Sequence, residues 1–234
     1  LPTEIGKLNN LEELSLYDNQ LTSLPPGIGQ LNNLQMLLLA HNQLTSLPTE
    51  IGQLENLQKL GLGFNQLTSL PTEIGQLENL QQLGLSNNQL TSLTPEIRKL
   101  TSLQTLYLGH NQLTQLPPQI GQLNSLQELD LYDNQLTSLP PQIGQLTSLQ
   151  KLYLTNNQFK EYPKELYPLL RQGVVIIPAL RLFINLHRQK IVLATTVYVA
   201  ANAIRSFGLL NPTDFSNTWG NWTASVTDLG TTDF

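Results

Sequence analysis

The chain has 234 residues, 40% of them hydrophobic, with 12 Lys/Arg against 17 Asp/Glu and a net charge of −5. Residues 1–161 hold 6 basic and 13 acidic side chains while residues 162–205 hold 6 and 1, so an acidic part precedes a basic segment. The acidic part disfavours nucleic acid, which needs Lys and Arg against its phosphates, and the absence of cysteine excludes disulfide staples and a thiol nucleophile.

From the first residue one phrase begins every 23 residues, at Leu1, Leu24, Leu47, Leu70, Leu93, Leu116, Leu139 and, decayed, at Tyr162. An unbroken period of this length marks a solenoid in which each copy stacks on the last. The copy at 70–92 reads LPTEIGQLENLQQLGLSNNQLTS, apolar at its positions 1, 5, 8, 11, 14, 16 and 21. A single coil cannot bury that set, whereas stacking covers both of its faces and makes a continuous core.

Within a copy, Leu-Pro opens the return path and Gly follows at position 6, as in Gly6, Gly29, Gly52, Gly75, Gly121 and Gly144. The path is too short for more than a helical or 3₁₀ turn. The fifth copy departs, reading LTPEIRKL with Pro95 and Arg98, which predicts a local change in that turn without a break in the stack. Positions 13 to 17 alternate around the Leu side chains at 14 and 16, predicting one short strand per copy in a parallel sheet. Asn19, Asn42, Asn65, Asn88, Asn111, Asn134 and Asn157 all stand at position 19. There an amide can satisfy the backbone of a tight turn, which predicts a buried asparagine ladder.

The phrase LxxLxLxxNxL followed by LPxxIGxL resembles the leucine-rich repeat, in the 23-residue bacterial form that is also similar to the Ras-group and scaffold repeats. The resemblance covers residues 1–161 in seven copies, and the eighth, YPKELYPLL, keeps only the opening half. It implies an α/β class fold, a right-handed solenoid with a parallel concave sheet and short 3₁₀ or helical turns on the convex side. It also implies a non-enzymatic scaffold whose protein or peptide partner lies on the concave sheet.

Equal positions of neighbouring copies should lie ~4.8 Å apart, so the outward rows can be mapped. The tyrosines of residues 1–161 all fall on them, Tyr107 and Tyr153 at position 15, Tyr17 and Tyr132 at position 17. Row 15 sets Asp130 between Tyr107 and Tyr153, and row 13 adds Glu128 and Lys151. With His110 and Asp133 from row 18 these form the richer candidate partner site. Tyr17, Asp18, Met36, Leu38, His41 and Phe64 form a second cluster at the front, and Gly61, Gly63 and Gly84 lie between as bare backbone or a depression. Tyr is favoured at binding hot spots, and the acidic balance fits a basic partner.

Row 18 places an aspartate one copy from each of His41 and His110, a pairing that would make partner binding mildly pH-sensitive. The two histidines stand three copies, ~14 Å, apart and cannot share a metal ion. No phosphate loop, HExxH or nucleophile-elbow phrase occurs. The expectation is therefore no catalytic residue, cofactor, metal or small-molecule substrate.

After the repeats, 162–177 reads as a degenerate eighth copy, with VVII at 174–177 as a last strand and Val175 and Ile177 facing inward. Pro178 would then start a helix carrying Leu180, Phe183, Ile184 and His187. Residues 178–210 are read as an apolar and basic helical cap, and 211–234 as a loosely ordered polar tail. The uncharged stretch 191–204 is shorter than the ~20 residues a spanning helix needs, so a cap is favoured over membrane contact. Two alternatives accompany the scaffold reading: membrane association through 174–210, and a piece of a larger signalling or effector protein. Residue 1 is the first Leu of a copy, which leaves cytoplasmic and secreted bacterial locations open.

Overall fold

A 23-residue period places each short apolar strand directly beside its counterpart in the next copy, and the hydrogen bonding follows that rule. The computed structural model describes residues 1–161 and 163–177. Its strands are β1 (Glu13–Ser15), β2 (Met36–Leu38), β3 (Lys59–Gly61), β4 (Gln82–Gly84), β5 (Thr105–Tyr107), β6 (Glu128–Asp130), β7 (Lys151–Tyr153) and β8 (Val175–Ile177). They form one parallel sheet in chain order. From β1 to β7 each residue pairs with the one 23 positions later, as Leu60 does with Leu83. The bonding continues past the strands, with Leu16 N donating to Leu38 O at 2.8 Å and Asn19 N to His41 O at 3.1 Å.

Opposite the sheet, each of the seven copies makes a 3₁₀ turn at its positions 3 to 7, from Thr3–Lys7 to Pro141–Gln145. A proline with extended backbone precedes six of them, which fixes where each turn starts. The turns stack closely enough to explain the glycine at position 6. A Cβ on Gly121 would lie 2.3 Å from the Gln142 carbonyl oxygen of the next copy. In the fifth copy the turn Pro95–Lys99 keeps its place, and Thr94 now caps it by accepting from Glu96 N at 3.5 Å. The expected local change without a break is what the fold shows.

Between sheet and turns, the inward-facing leucines and isoleucines of copies two to seven are almost entirely buried. Five interior asparagines complete the core. Asn88, 7% exposed, donates through Nδ2 to Leu62 O at 2.9 Å and Leu85 O at 3.0 Å. Its Oδ1 accepts from Leu67 N at 2.9 Å, so one side chain ties two copies together. The ladder is shorter than predicted: Asn42, Asn65, Asn88, Asn111 and Asn134 are buried, but Asn157 is half-buried and Asn19 exposed. Among the described residues no coil precedes that of Asn19, so its Nδ2 reaches only carbonyls of its own copy, Leu16 and Tyr17.

The eighth copy corrects a second expectation. It carries a short helix, α1 (Tyr167–Arg171), closed by Gly173 at φ 82°. Gly173 N donates to Leu170 O and Val174 N to Leu169 O, the pattern of a glycine-ended helix. This path is one residue longer than the others, so Lys151 pairs with Val175, 24 positions on. A one-residue slip reverses every side chain in a strand. Val174 is buried and Ile176 packs on the core, while Val175 and Ile177, predicted inward, are exposed. The predicted cap at 178–210 and tail at 211–234 lie outside the described residues. Among the described residues no helix is long and apolar enough to cross a membrane.

Candidate functional site

The outward positions of β1 to β7 and the turn that follows each strand make up the open face of the sheet, and here the copies stop being interchangeable. The parallel register brings together what the row map predicted. Tyr107, Asp130 and Tyr153 are successive partners across β5, β6 and β7. Glu128 and Lys151 are partners as well, with Lys151 Nζ 3.4 Å from Glu128 Oε2. That bond is the first cause holding the Lys151 ammonium above its usual range.

Asp130 is held differently. Its Oδ1 accepts from the Tyr132 amide at 2.9 Å, and its Oδ2 lies over Gly109, where a Cβ would come within 2.9 Å of it. Burial pushes its carboxyl above the usual carboxylate value, an effect the Tyr132 amide bond opposes. Among the described residues no Lys or Arg forms an ion pair with it, since Lys151 is engaged by Glu128. Burial also pushes the Tyr107 hydroxyl up, helped by the charge of Glu128. Beside this group His110 Nδ1 lies 2.6 Å from Asp133 Oδ2, and the His110 ring meets Tyr132 edge-on at 4.9 Å. Asn156 Nδ2 in turn donates to the Tyr132 hydroxyl at 3.1 Å. Eight of the predicted partner residues thus form one connected patch over copies five to seven.

The front cluster is built from rings rather than charges. His41 stacks on Phe64 with ring centres 4.1 Å apart and planes 16° from parallel. Tyr17 meets the other side of His41 at 5.0 Å, and Met36 and Leu38 lie half-buried on β2. Asp18 and His41, predicted as a pair, form no ion pair among the described residues. His41 instead packs between the rings of Tyr17 and Phe64. Among the described residues no group of three or more His, Asp or Glu is gathered as a metal site would need.

One feature was missed from sequence. Every residue at position 18, namely Asp18, His41, Phe64, Asn87, His110, Asp133 and Asn156, has positive φ, between 52° and 59°. A left-handed residue after each strand turns the chain so that the following asparagine points into the core. The signal was present in the column itself, because Asn, Asp and His are the non-glycine residues that adopt this conformation most readily. Phe64 is the exception in its column.

The profile of a leucine-rich repeat region matches residues 50–134 and 96–172, and a second leucine-rich repeat profile matches residues 9–67. The chain belongs to the leucine-rich repeat family. No curated protein matches it. Among solved structures, a leucine-rich-repeat protein of Leptospira interrogans is 45% identical with a TM-score of 0.70, covering 76% of this chain and 44% of that one. The ectodomain of the Arabidopsis thaliana receptor kinase GASSHO1/SCHENGEN3, in complex with Casparian strip integrity factor 2, is 33% identical with a TM-score of 0.69. That match covers 76% of this chain and 22% of the receptor chain. The Arabidopsis receptor kinase HAESA, in complex with the peptide hormone IDA and the co-receptor SERK1, is 31% identical with a TM-score of 0.63 over 70% of this chain and 29% of that one. The leucine-rich repeat chain therefore spans less than half the length of each of these structural relatives. Leucine-rich repeats of this kind are typically binding scaffolds, and a bacterial setting accords with the Leptospira neighbour.

Proposed function

We propose that this chain is a non-enzymatic scaffold of the 23-residue bacterial leucine-rich-repeat form, which binds a basic protein or peptide on the open face of its sheet. The observation that carries the reading is Asp130. A half-buried carboxylate set between Tyr107 and Tyr153 forms no ion pair with Lys or Arg among the described residues and feels only the charge of His110, while the neighbouring Lys151 is held on Glu128. Burying a carboxylate has a desolvation cost that an incoming Lys or Arg would offset. Tyr107, Tyr132 and Tyr153 around it supply aromatic contact area of the kind that concentrates binding energy. The complexes of the two Arabidopsis relatives, one with a peptide hormone, support a peptide or protein partner.

The test is capture from a bacterial lysate by the full chain and by a variant carrying Asp130→Ala and Tyr132→Ala. Both side chains project from the sheet rather than into the core, so the variant should unfold near the parent midpoint. A protein held by the parent and weakened by about 2 kcal/mol or more in the variant is the expected result. Equal capture by both would move binding off this face.

A further inference from the structure

Two places on the open face carry residues that the fold does not call for, and both lie in front of the acidic patch. The first is Phe64. It sits at φ 55° and is 49% exposed, and it alone among the position-18 residues has no polar side chain to compensate the left-handed backbone. Asn87, one copy on, shows that asparagine meets the geometry. A bulky ring held at positive φ and half in water is the kind of strain found at ligand clamps. It extends the Tyr17 and His41 rings into a row of three across copies one to three.

The second is the pair Gly61 and Gly84, partners on β3 and β4. Neither has positive φ. A Cβ on Gly84 would meet nothing nearer than 3.9 Å, and one on Gly61 only the end of the Leu38 side chain at 3.1 Å. Packing therefore does not require glycine here, in contrast to Gly121 with a carbonyl oxygen 2.3 Å away. The same row elsewhere carries Ser15, Leu38, Tyr107, Asp130 and Tyr153. Glycine weakens a strand, and the use left for it is close approach of another backbone. A shallow depression bounded by Met36, Gln58, Lys59 and Gln82 runs alongside.

These features line up with Asp130. Phe64 and His41 stand three and four strand intervals before Asp130, ~14 and ~19 Å at paired-strand spacing, and an extended chain covers the longer span in about six residues. We propose that the face takes an extended peptide lying across the strands, an aromatic or large apolar side chain against Phe64 and His41, its backbone close over Gly61 and Gly84. A Lys or Arg about six residues away then meets Asp130. This deepens the scaffold reading above and rests on it. The first anchor is apolar and the second acidic, so the occupant is defined by the spacing of two side chains of opposite character.

The probe is a displayed library of random twelve-residue peptides, panned against the full chain. The expected consensus pairs an aromatic or large apolar residue with Lys or Arg five to seven positions apart. A synthetic consensus peptide should lose at least tenfold in affinity to each of Phe64→Asn, Gly84→Val and Asp130→Asn, and as much when its spacing is cut by three. The variants are first shown by thermal unfolding to keep the parent fold. Peptides that depend on Tyr107, Tyr132 or Tyr153 but are indifferent to Phe64→Asn and Gly84→Val would overturn this inference and leave the scaffold reading standing. Peptides indifferent to every one of these variants would overturn both. No enriched peptide at all would overturn the extended-peptide inference and leave a folded partner to the scaffold reading.

Discussion

Copies two to four and copies five to seven share one core and differ almost entirely on their open face. In both, the inward leucines and the asparagines from Asn42 to Asn134 make the same contacts at the same depth. On the face, the front copies carry stacked rings and bare glycine, whereas the rear copies carry carboxylates, tyrosines and a connected set of hydrogen bonds. The rear patch satisfies most of its own polar groups and leaves Asp130 over; the front accepts a strained Phe64 and two glycines that packing does not require. In a solenoid each copy answers only to its neighbours, so outward positions can diverge this far without disturbing the stack.

The largest effect should come from removing what the two regions share. Asn88→Ala leaves the Leu67 amide without its partner and takes one of two donors from each of the Leu62 and Leu85 carbonyls, which keep Asn65 and Asn111, and at about 1–3 kcal/mol for a buried unsatisfied group should cost about 2 kcal/mol in urea unfolding. Asn19→Ala, at an exposed position bonding only within its copy, should cost under about 1 kcal/mol. Equal losses would mean that the ladder does not work by linking copies.

Next comes the distinction between glycines. Gly121→Ala drives a Cβ against the Gln142 carbonyl and should cost about 2 kcal/mol by overpacking. Gly84→Ala, which has room, should be neutral or gain up to about 1 kcal/mol. Thermal unfolding of the two variants separates them, and a costly Gly84→Ala would remove the case that this glycine serves a ligand.

The smallest effect concerns Asp130, whose folded pKa is raised from 3.8 chiefly by burial. The native state then holds the proton more tightly than the unfolded chain, so this group favours the fold at low pH. Its contribution falls as pH rises from 3.8 through the raised folded value, and is flat above that. Asp130→Asn should therefore unfold at an equal or higher urea midpoint than the parent at pH 7, with any gain disappearing at pH 3. A variant less stable at pH 7 than at pH 3, relative to the parent, would reverse the sign.

The solenoid, its strand positions and the rear patch were legible from sequence because a strict 23-residue period converts spacing into contact. Tyr107, Asp130 and Tyr153 could be placed side by side without any structure. What was misplaced lies where the period fails. α1 and Gly173 add one residue before β8, which turned Val175 and Ile177 outward. The pairing of His41 was misread for another reason. Charge predicted Asp18, but flat rings at this spacing stack, and an exposed ion pair offers little against that. The left-handed residue after each strand is a backbone property that periodicity of apolar side chains does not report.

The central claim is that the open face, Phe64 included, is maintained for a partner and not for the fold. The direct measurement is urea stability and partner affinity of Phe64→Asn on one preparation, using the captured protein or the selected peptide. The account predicts a stability within about 1 kcal/mol of the parent, because asparagine suits the left-handed backbone while the ring is half exposed, together with at least tenfold weaker binding. A loss of about 3 kcal/mol, as for a buried aromatic, or an unchanged affinity, would contradict it.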